Sequence, residues 1–275
     1  MEQKTSNLSA LSVSEDDVLY IALEMGEHIL RNGGEISRAE DSIIRICKAY
    51  GAIHVDVTAI FSMIALTVDF GGAHVTSTRR ITSSTSNNLG KLSKLNNLSR
   101  YICANLPTKE EFLEKFNEIH KSSQISIFKF VVGNMLAALG FTIFFSDFSA
   151  GFTLEILLGI AIDALLAGAL AIPLAFISNH LSKTKTNSMI SKFLVCFIGG
   201  MLALLISKVI PCHADKIMIG NIMNFIPGVA MTNSFRDLFG GDIMSGLFRL
   251  CTVLIDAIIV AAGYAVAILL FGGVV

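Results

Sequence analysis

The sequence predicts a multi-pass α-helical membrane protein with an N-terminal cytosolic α+β domain, and three observations predict it. The 275-residue chain is 53% hydrophobic and only 16% charged, with a mean hydropathy of +0.65, whereas ordinary soluble domains are about 25% charged. The charge is unevenly placed: 28 of the first 124 positions are Asp, Glu, Lys or Arg, against 15 of the remaining 151. The second part also contains five apolar runs near the length of about 20 residues that crosses a bilayer core. A boundary is expected at 124/125, and a wholly soluble enzyme does not fit this profile.

The net charge of −1 offers no electrostatic footprint for nucleic acid. Cys47, Cys103, Cys196, Cys212 and Cys251 are odd in number, scattered and without a CxxC pair, so neither a disulfide framework nor a zinc site is expected. The first ten residues are polar and lack the apolar core of a signal peptide, which places residues 1–124 in the cytosol, the first 13 or so disordered.

Ser14, followed by Glu15, Asp16 and Asp17, can cap a helix whose apolar residues Val18, Ile21, Ala22, Met25 and Ile29 recur at helical spacing. Gly33-Gly34 stops it. A second helix runs from Glu35 to about Tyr50, with Ile36, Ala39, Ile43, Ile44 and Cys47 on one face, and ends at Gly51. The period then changes. Ile53, Val55 and Val57 alternate with polar residues, residues 61–70 are apolar and β-branched, and Gly71-Gly72 turns the chain before His74 to Ile81. Two or three antiparallel strands follow from this pattern. From Asn87, Leu89, Leu92, Leu95, Leu98 and Ile102 restore helical spacing, and Pro107 opens a short helix to about His120.

Little in this front part points to chemistry. Glu24 and His28 stand one turn apart, but no second histidine completes HExxH. His54 and Asp56 share a strand face, which reads more readily as solvated than as catalytic. Arg79-Arg80 could hold a phosphate or carboxylate, although a surface position explains them better. Gly33-Gly34 follows a helix and not a strand, unlike a phosphate loop. No catalytic residue, metal site or cofactor is expected.

Spanning helices are expected near 125–145, 152–177, 189–207, 217–235 and 247–271. The fourth is the most polar and contains Pro227-Gly228. Basic residues concentrate in the front part, in the 179–188 loop (Lys183, Lys185) and in the 234–249 loop (Arg236, Arg249). The positive-inside rule puts these in the cytosol and the C-terminus outside, with Lys208 and Lys216 opposing.

Charges within a bilayer are expensive and point to function by default. Lys129 and Lys192 lie close enough to helix ends to snorkel. Asp163 and Asp256 lie about 16 Å and about 14 Å into their helices, near the midplane of a core about 30 Å thick. They are the candidates for ion or proton coupling, the plainer reading being hydrogen bonding between helices. Pro227 has no N–H and its ring clashes with the Met223 carbonyl, so the fourth helix should break or kink there; Gly228 loosens the backbone further. The half-helix beyond would aim unpaired N–H groups at the membrane centre, the device by which transporters hold anionic substrate groups. Asn221, Asn224, Thr232 and Asn233 add hydrogen-bonding groups, and Arg236 and Arg249 could collect a carboxylate from the cytosol. Gly240-Gly241 turns the chain, and Asp242 can cap the last helix.

The run from Ile226 to Arg249 (IPGVAMTNSFRDLFGGDIMSGLFR) resembles the signature of the threonine/serine exporter family, and more closely that of its YjjP-like larger subunit. Gly34, Ser37, Arg38, Glu40 and Gly51 resemble an earlier block of that family, and Arg79-Arg80 with the segment from Asn88 to Leu98 a later one. The resemblance covers nearly all of the chain from about Asp17. It implies a cytosolic N-terminal domain before five spanning helices, no enzyme activity, and export of threonine and serine or of succinate-type dicarboxylates. In the divided form a small YjjB-like membrane subunit is required as partner, and homo- or hetero-oligomers follow. One departure is that the family often has an acid soon after the position of Arg249; here Thr252 stands there, with Asp256 one turn later.

The leading expectation is therefore a subunit of an ion-coupled exporter of small carboxylates, of the succinate type, in a bacterial plasma membrane. Asn224, Pro227, Gly228, Thr232, Asn233, Arg236 and Arg249 are the candidate substrate residues, and Asp163 and Asp256 the coupling ones. A threonine/serine exporter is the alternative. An intramembrane aspartyl enzyme pairing Asp163 with Asp256 is a remote one, since Gly240-Gly241-Asp242 lacks the first glycine of the usual element.

Overall fold

The computed structural model describes residues 13–60, 62–72, 74–81, 88–122, 125–148, 152–184 and 186–272. The expected N-terminal disorder, the strand start at Phe61, the helix start at Asn87, Lys185 and the last three residues of the tail lie outside them. Two compact units result: Met1–Gln124 with Gly228–Thr252, and Ile125–Pro227 with Val253–Val275.

In the first unit, helix α1 (Glu15–Arg31) starts where the Ser14 hydroxyl accepts the Asp17 N–H at 3.2 Å, with three acids favouring the positive end of the helix dipole. Its periodic face is real: Val18, Ile21, Ala22, Met25 and Ile29 are all fully buried. Gly33 leaves the helix at φ 88°, a left-handed conformation that glycine adopts without strain. Helix α2 (Ile36–Ala49) packs so closely on α1 that a Cβ at Gly26 would stand 2.5 Å from Ile43 Cδ1.

Strands β1 (His54–Ile60), β2 (Met63–Asp69) and β3 (Val75–Arg80) form an antiparallel sheet in that order, Val57 opposite Leu66 and Leu66 opposite Ser77. Alternation turns Ile64, Leu66 and Val68 into the core. Helices α3 (Leu89–Asn105) and α4 (Lys109–Ser122) complete it with Leu95, Ile102 and Phe112. Asn88 caps α3 by accepting the Lys91 N–H at 2.9 Å.

The second unit contains α5 (Ile127–Phe144), α6 (Leu154–Lys183), α7 (Ser188–Val209) and α8 (Ala214–Ile222). Beyond Pro227 come α9 (Gly228–Phe239) and α10 (Ile243–Phe271), of which α9 and the start of α10, to Thr252, belong to the first unit. This grouping differs from a division at 124/125, which assigned everything after Gln124 to the apolar part.

Among the described residues, four helices are long and apolar enough to cross a membrane: α5, α6, α7 and α10. The fifth expected span, 217–235, is not one helix. It is α8 and α9, of 9 and 12 residues, separated by residues 223–227. Before Pro227 the chain tightens, Asn224 and Phe225 donating to the carbonyls of Asn221 and Ile222 at 3.2 and 2.9 Å, three residues back. Proline alone does not decide this, since α6 continues through Pro173. Small residues let the apolar helices approach: Cβ atoms at Gly200 and Gly263 would come within 2.8 Å of Ala267 Cβ and of the Phe193 carbonyl oxygen. Phe144, Leu165, Ile258 and Leu269 point outward, as lipid-facing residues do.

Candidate functional site

Residues 228–249 bring part of the expected site together within the first unit. On α9, Asn233, Arg236 and Asp237 fall at i, i+3 and i+4 and so share one face. That face meets the turn between α1 and α2. Asn233 Nδ2 donates to the Gly33 carbonyl at 2.7 Å, Arg236 donates to the Glu35 carboxylate, and Asp237 Oδ1 accepts the Ile36 N–H at 3.4 Å. Arg249, from the second turn of α10, pairs with Asp237 at 3.1 Å and reaches the Gly34 carbonyl at 3.4 Å.

Arg249 and Asp237 are 5% and 3% exposed. Leaving either charge alone there would be costly. Thr232, by contrast, turns its hydroxyl back to the Gly228 carbonyl at 3.0 Å, and a Cβ at Gly228 would meet nothing within 4 Å.

Asp237 is the participant that sequence reasoning missed, together with Gly33, Gly34 and Glu35. The signal was present in the four-residue spacing from Asn233 to Asp237. The α1–α2 turn that this face meets, however, lies some two hundred positions away, beyond the reach of local pattern.

Asn224 and Pro227 belong to the second unit, where Asn224 Nδ2 donates to the Asn134 carbonyl at 3.2 Å. Asn221 ties α8 to α6 through the Ala167 carbonyl at 3.2 Å. The two carboxylates expected for coupling find different partners. Asp163 is 2% exposed and accepts both the backbone N–H of His213 and a contact from its Nδ1, each at 2.9 Å. His213 precedes α8 and its side chain is 71% exposed. A cleft of about 340 Å³ opens over the pair, lined also by Asp147, Glu155 and Lys216. Lys216 Nζ donates to the Phe145 carbonyl at 3.2 Å. Asp256 instead pairs with Lys192 at 2.6 Å.

The threonine/serine exporter family model, ThrE, matches residues 20–271. The chain belongs to the threonine/serine exporter family. No curated protein and no solved structure matches it.

Membership makes this chain a membrane exporter of small molecules, and its remaining polar groups can be read in that light. Among the described residues no group of three His, Cys, Asp or Glu could hold a metal. Glu24 and His28 pair at 3.4 Å, and Arg79 bridges Glu24 and Glu27 at 2.9 and 3.2 Å. That network joins β3 to α1 and engages Arg79 within the exporter's own fold. His54 and Asp56 meet at 3.1 Å on the open face of β1.

Proposed function

We propose that this exporter carries a small hydroxy amino acid, threonine or serine, out of the cytosol, driven by protons. In this reading it is the YjjP-like larger half of a divided transporter and works with a small YjjB-like membrane subunit. The observation that carries the proposal is Asp163, buried against His213 beneath a cleft that holds charges of both signs. A zwitterion offers an ammonium to Asp147, Glu155 or Asp163 and a carboxylate to Lys216. A dianion such as succinate would meet three carboxylates there, so the dicarboxylate reading moves to second place. Histidine is the side chain that ordinarily exchanges its proton near neutral pH, which makes Asp163–His213 the better coupling candidate. Asp256, beside a lysine, is proposed to serve mainly as a fixed pair.

The rest of the path is proposed as follows. Segment 214–239 makes a fifth, broken crossing in a bacterial plasma membrane, with the N-terminal part cytosolic and the cleft on the outer side. The first N–H groups of α9 have no intrahelical partners, and no acid stands in its first turn. They are the groups proposed to receive the substrate carboxylate, with Gly228 and Thr232 beside them on the same helix. Arg236 and Arg249 act by holding the signature segment to the Gly33–Gly34 turn, because their guanidinium groups are already engaged by Glu35 and Asp237.

That amide cluster would suit a dicarboxylate equally well, and this is the observation favouring succinate as the second reading. The test is uptake of labelled threonine, serine and succinate by inside-out vesicles, with and without the small subunit. Saturable threonine or serine uptake that needs both subunits supports the proposal. Uptake of succinate alone overturns the substrate, and full activity of this chain alone overturns the divided architecture.

A further inference from the structure

A second cleft, of about 480 Å³, lies in the first unit between α2 and α3. Its lining follows from helical spacing. Arg38, Ser42 and Arg45 fall at i, i+4 and i+7 on α2, and Asn96, Ser99, Arg100 and Cys103 at i, i+3, i+4 and i+7 on α3, so each set forms one stripe. The two stripes place three guanidinium groups around one space, against a single carboxylate, Asp41.

Those positive charges are incompletely compensated. Arg45 takes Asp41 at 2.9 Å. Arg38 approaches Glu35 only to 3.9 Å, and that carboxylate already accepts from Arg236. Arg100 has no carboxylate partner among the described residues. Ser42 and Ser99, 8% and 7% exposed, put hydroxyl groups into the same lining. Ser42 donates to the Arg38 carbonyl at 2.9 Å, so its oxygen is held in a fixed place.

A fold has little reason to gather three arginines around a pocket with one acid unless the opposite charge comes from elsewhere. The volume falls within the range of small-molecule sites, about 300–1,000 Å³. Guanidinium forks match phosphate oxygens in pairs, and the Ser99 hydroxyl and the Asn96 amide can donate to the remaining ones. We propose that the α2–α3 cleft is a binding site for a small phosphate-bearing anion, distinct from the transport path. The ligand binds through Arg38, Arg45 and Arg100, and Asp41 releases Arg45 to it. Such a site would let a phosphorylated solute, or the phosphate of a lipid headgroup, act on the exporter without being carried by it. The inference does not depend on the transported substrate.

The test is calorimetric titration of the detergent-solubilised full chain with inorganic pyrophosphate and, separately, with dihexanoyl phosphatidic acid. Saturable binding of either is expected, weakening as sodium chloride is raised. Arg100→Gln should weaken it at least about tenfold, the effect of losing one charge-assisted contact. Arg100 is exposed, so this variant should fold. Arg100→Lys should fall between the two if the fork geometry matters. Tighter binding of pyrophosphate assigns a soluble ligand, and tighter binding of phosphatidic acid a lipid headgroup. Absence of saturation with both probes overturns the proposal, as does equal affinity in wild type and Arg100→Gln.

Discussion

The two units bury carboxylates in opposite ways. In the first, Asp237 is closed against Arg249 and against the N-terminus of α2, and an arginine keeps its charge at any ordinary pH. In the second, Asp163 is equally buried, but its partner is a histidine whose ring stands largely in solvent at the mouth of a cleft. Permanently charged partners fix a structure, whereas partners that can change charge make it responsive. Asp256 with Lys192 repeats the fixed arrangement inside the apolar unit, so the difference lies in the partner and not in the surroundings.

The largest expected effect breaks the fixed pair. Arg249→Met leaves Asp237 buried without its cation and should destabilise the chain by about 3–5 kcal/mol, seen as a lower unfolding temperature in detergent and lower membrane abundance. The double variant Asp237→Leu with Arg249→Met should recover much of that loss, because replacing both members of a buried pair is often neutral. If Arg249→Met alone behaves like wild type, the pair is not what holds residues 228–252 to the Gly33–Gly34 turn.

A smaller effect is expected at the interruption. Pro227→Ala restores an N–H and removes the clash, so α8 and α9 can join. Transport should fall several-fold while abundance holds, and threonine flux in vesicles measures it. Unchanged flux would mean that the break has no part in transport.

Acid should loosen the first unit in a definable way. The bond from His28, with Arg79 adding its charge, holds the Glu24 carboxyl below its usual range. A depressed folded value means that the contribution is present above the unfolded value of about 4.3 and is lost as pH falls through the folded one. Glu24→Gln should therefore remove part of the stability lost below about pH 4.3 while leaving the Asp163 chemistry intact. A pH–stability curve that keeps its acid limb in that variant would contradict it. The smallest effect is Ser14→Ala, about 1 kcal/mol from the lost cap of α1, readable by chemical denaturation.

How much of this was legible in the sequence depends on how far apart the partners lie. The α1 face of Val18, Ile21, Met25 and Ile29, the antiparallel strands, the four long apolar helices and the break before Gly228 are local consequences of spacing and of proline and glycine chemistry. The grouping of Gly228–Thr252 with the first unit was not legible. Its apolar residues continue those of α8, so periodicity reads 217–235 as one interrupted crossing and not as parts of two units. What separates the two is a set of bonds to Gly33, Gly34, Glu35 and Ile36 that no local window contains. Asp163 was found because a charge in an apolar run stands out. Its partner was not, because His213 sits in a connection fifty positions later, where a lone histidine carries no pattern.

The contrast between fixed and changeable carboxylates is tested most directly by the response of the proposed threonine flux to an imposed pH gradient, in proteoliposomes containing this chain and the proposed small subunit. In the Asp163→Asn variant we expect gradient-driven flux to fall at least about tenfold, while gradient-free exchange of labelled threonine continues and Asp256→Asn keeps its gradient response. Gradient stimulation of Asp163→Asn equal to that of wild type would contradict the account.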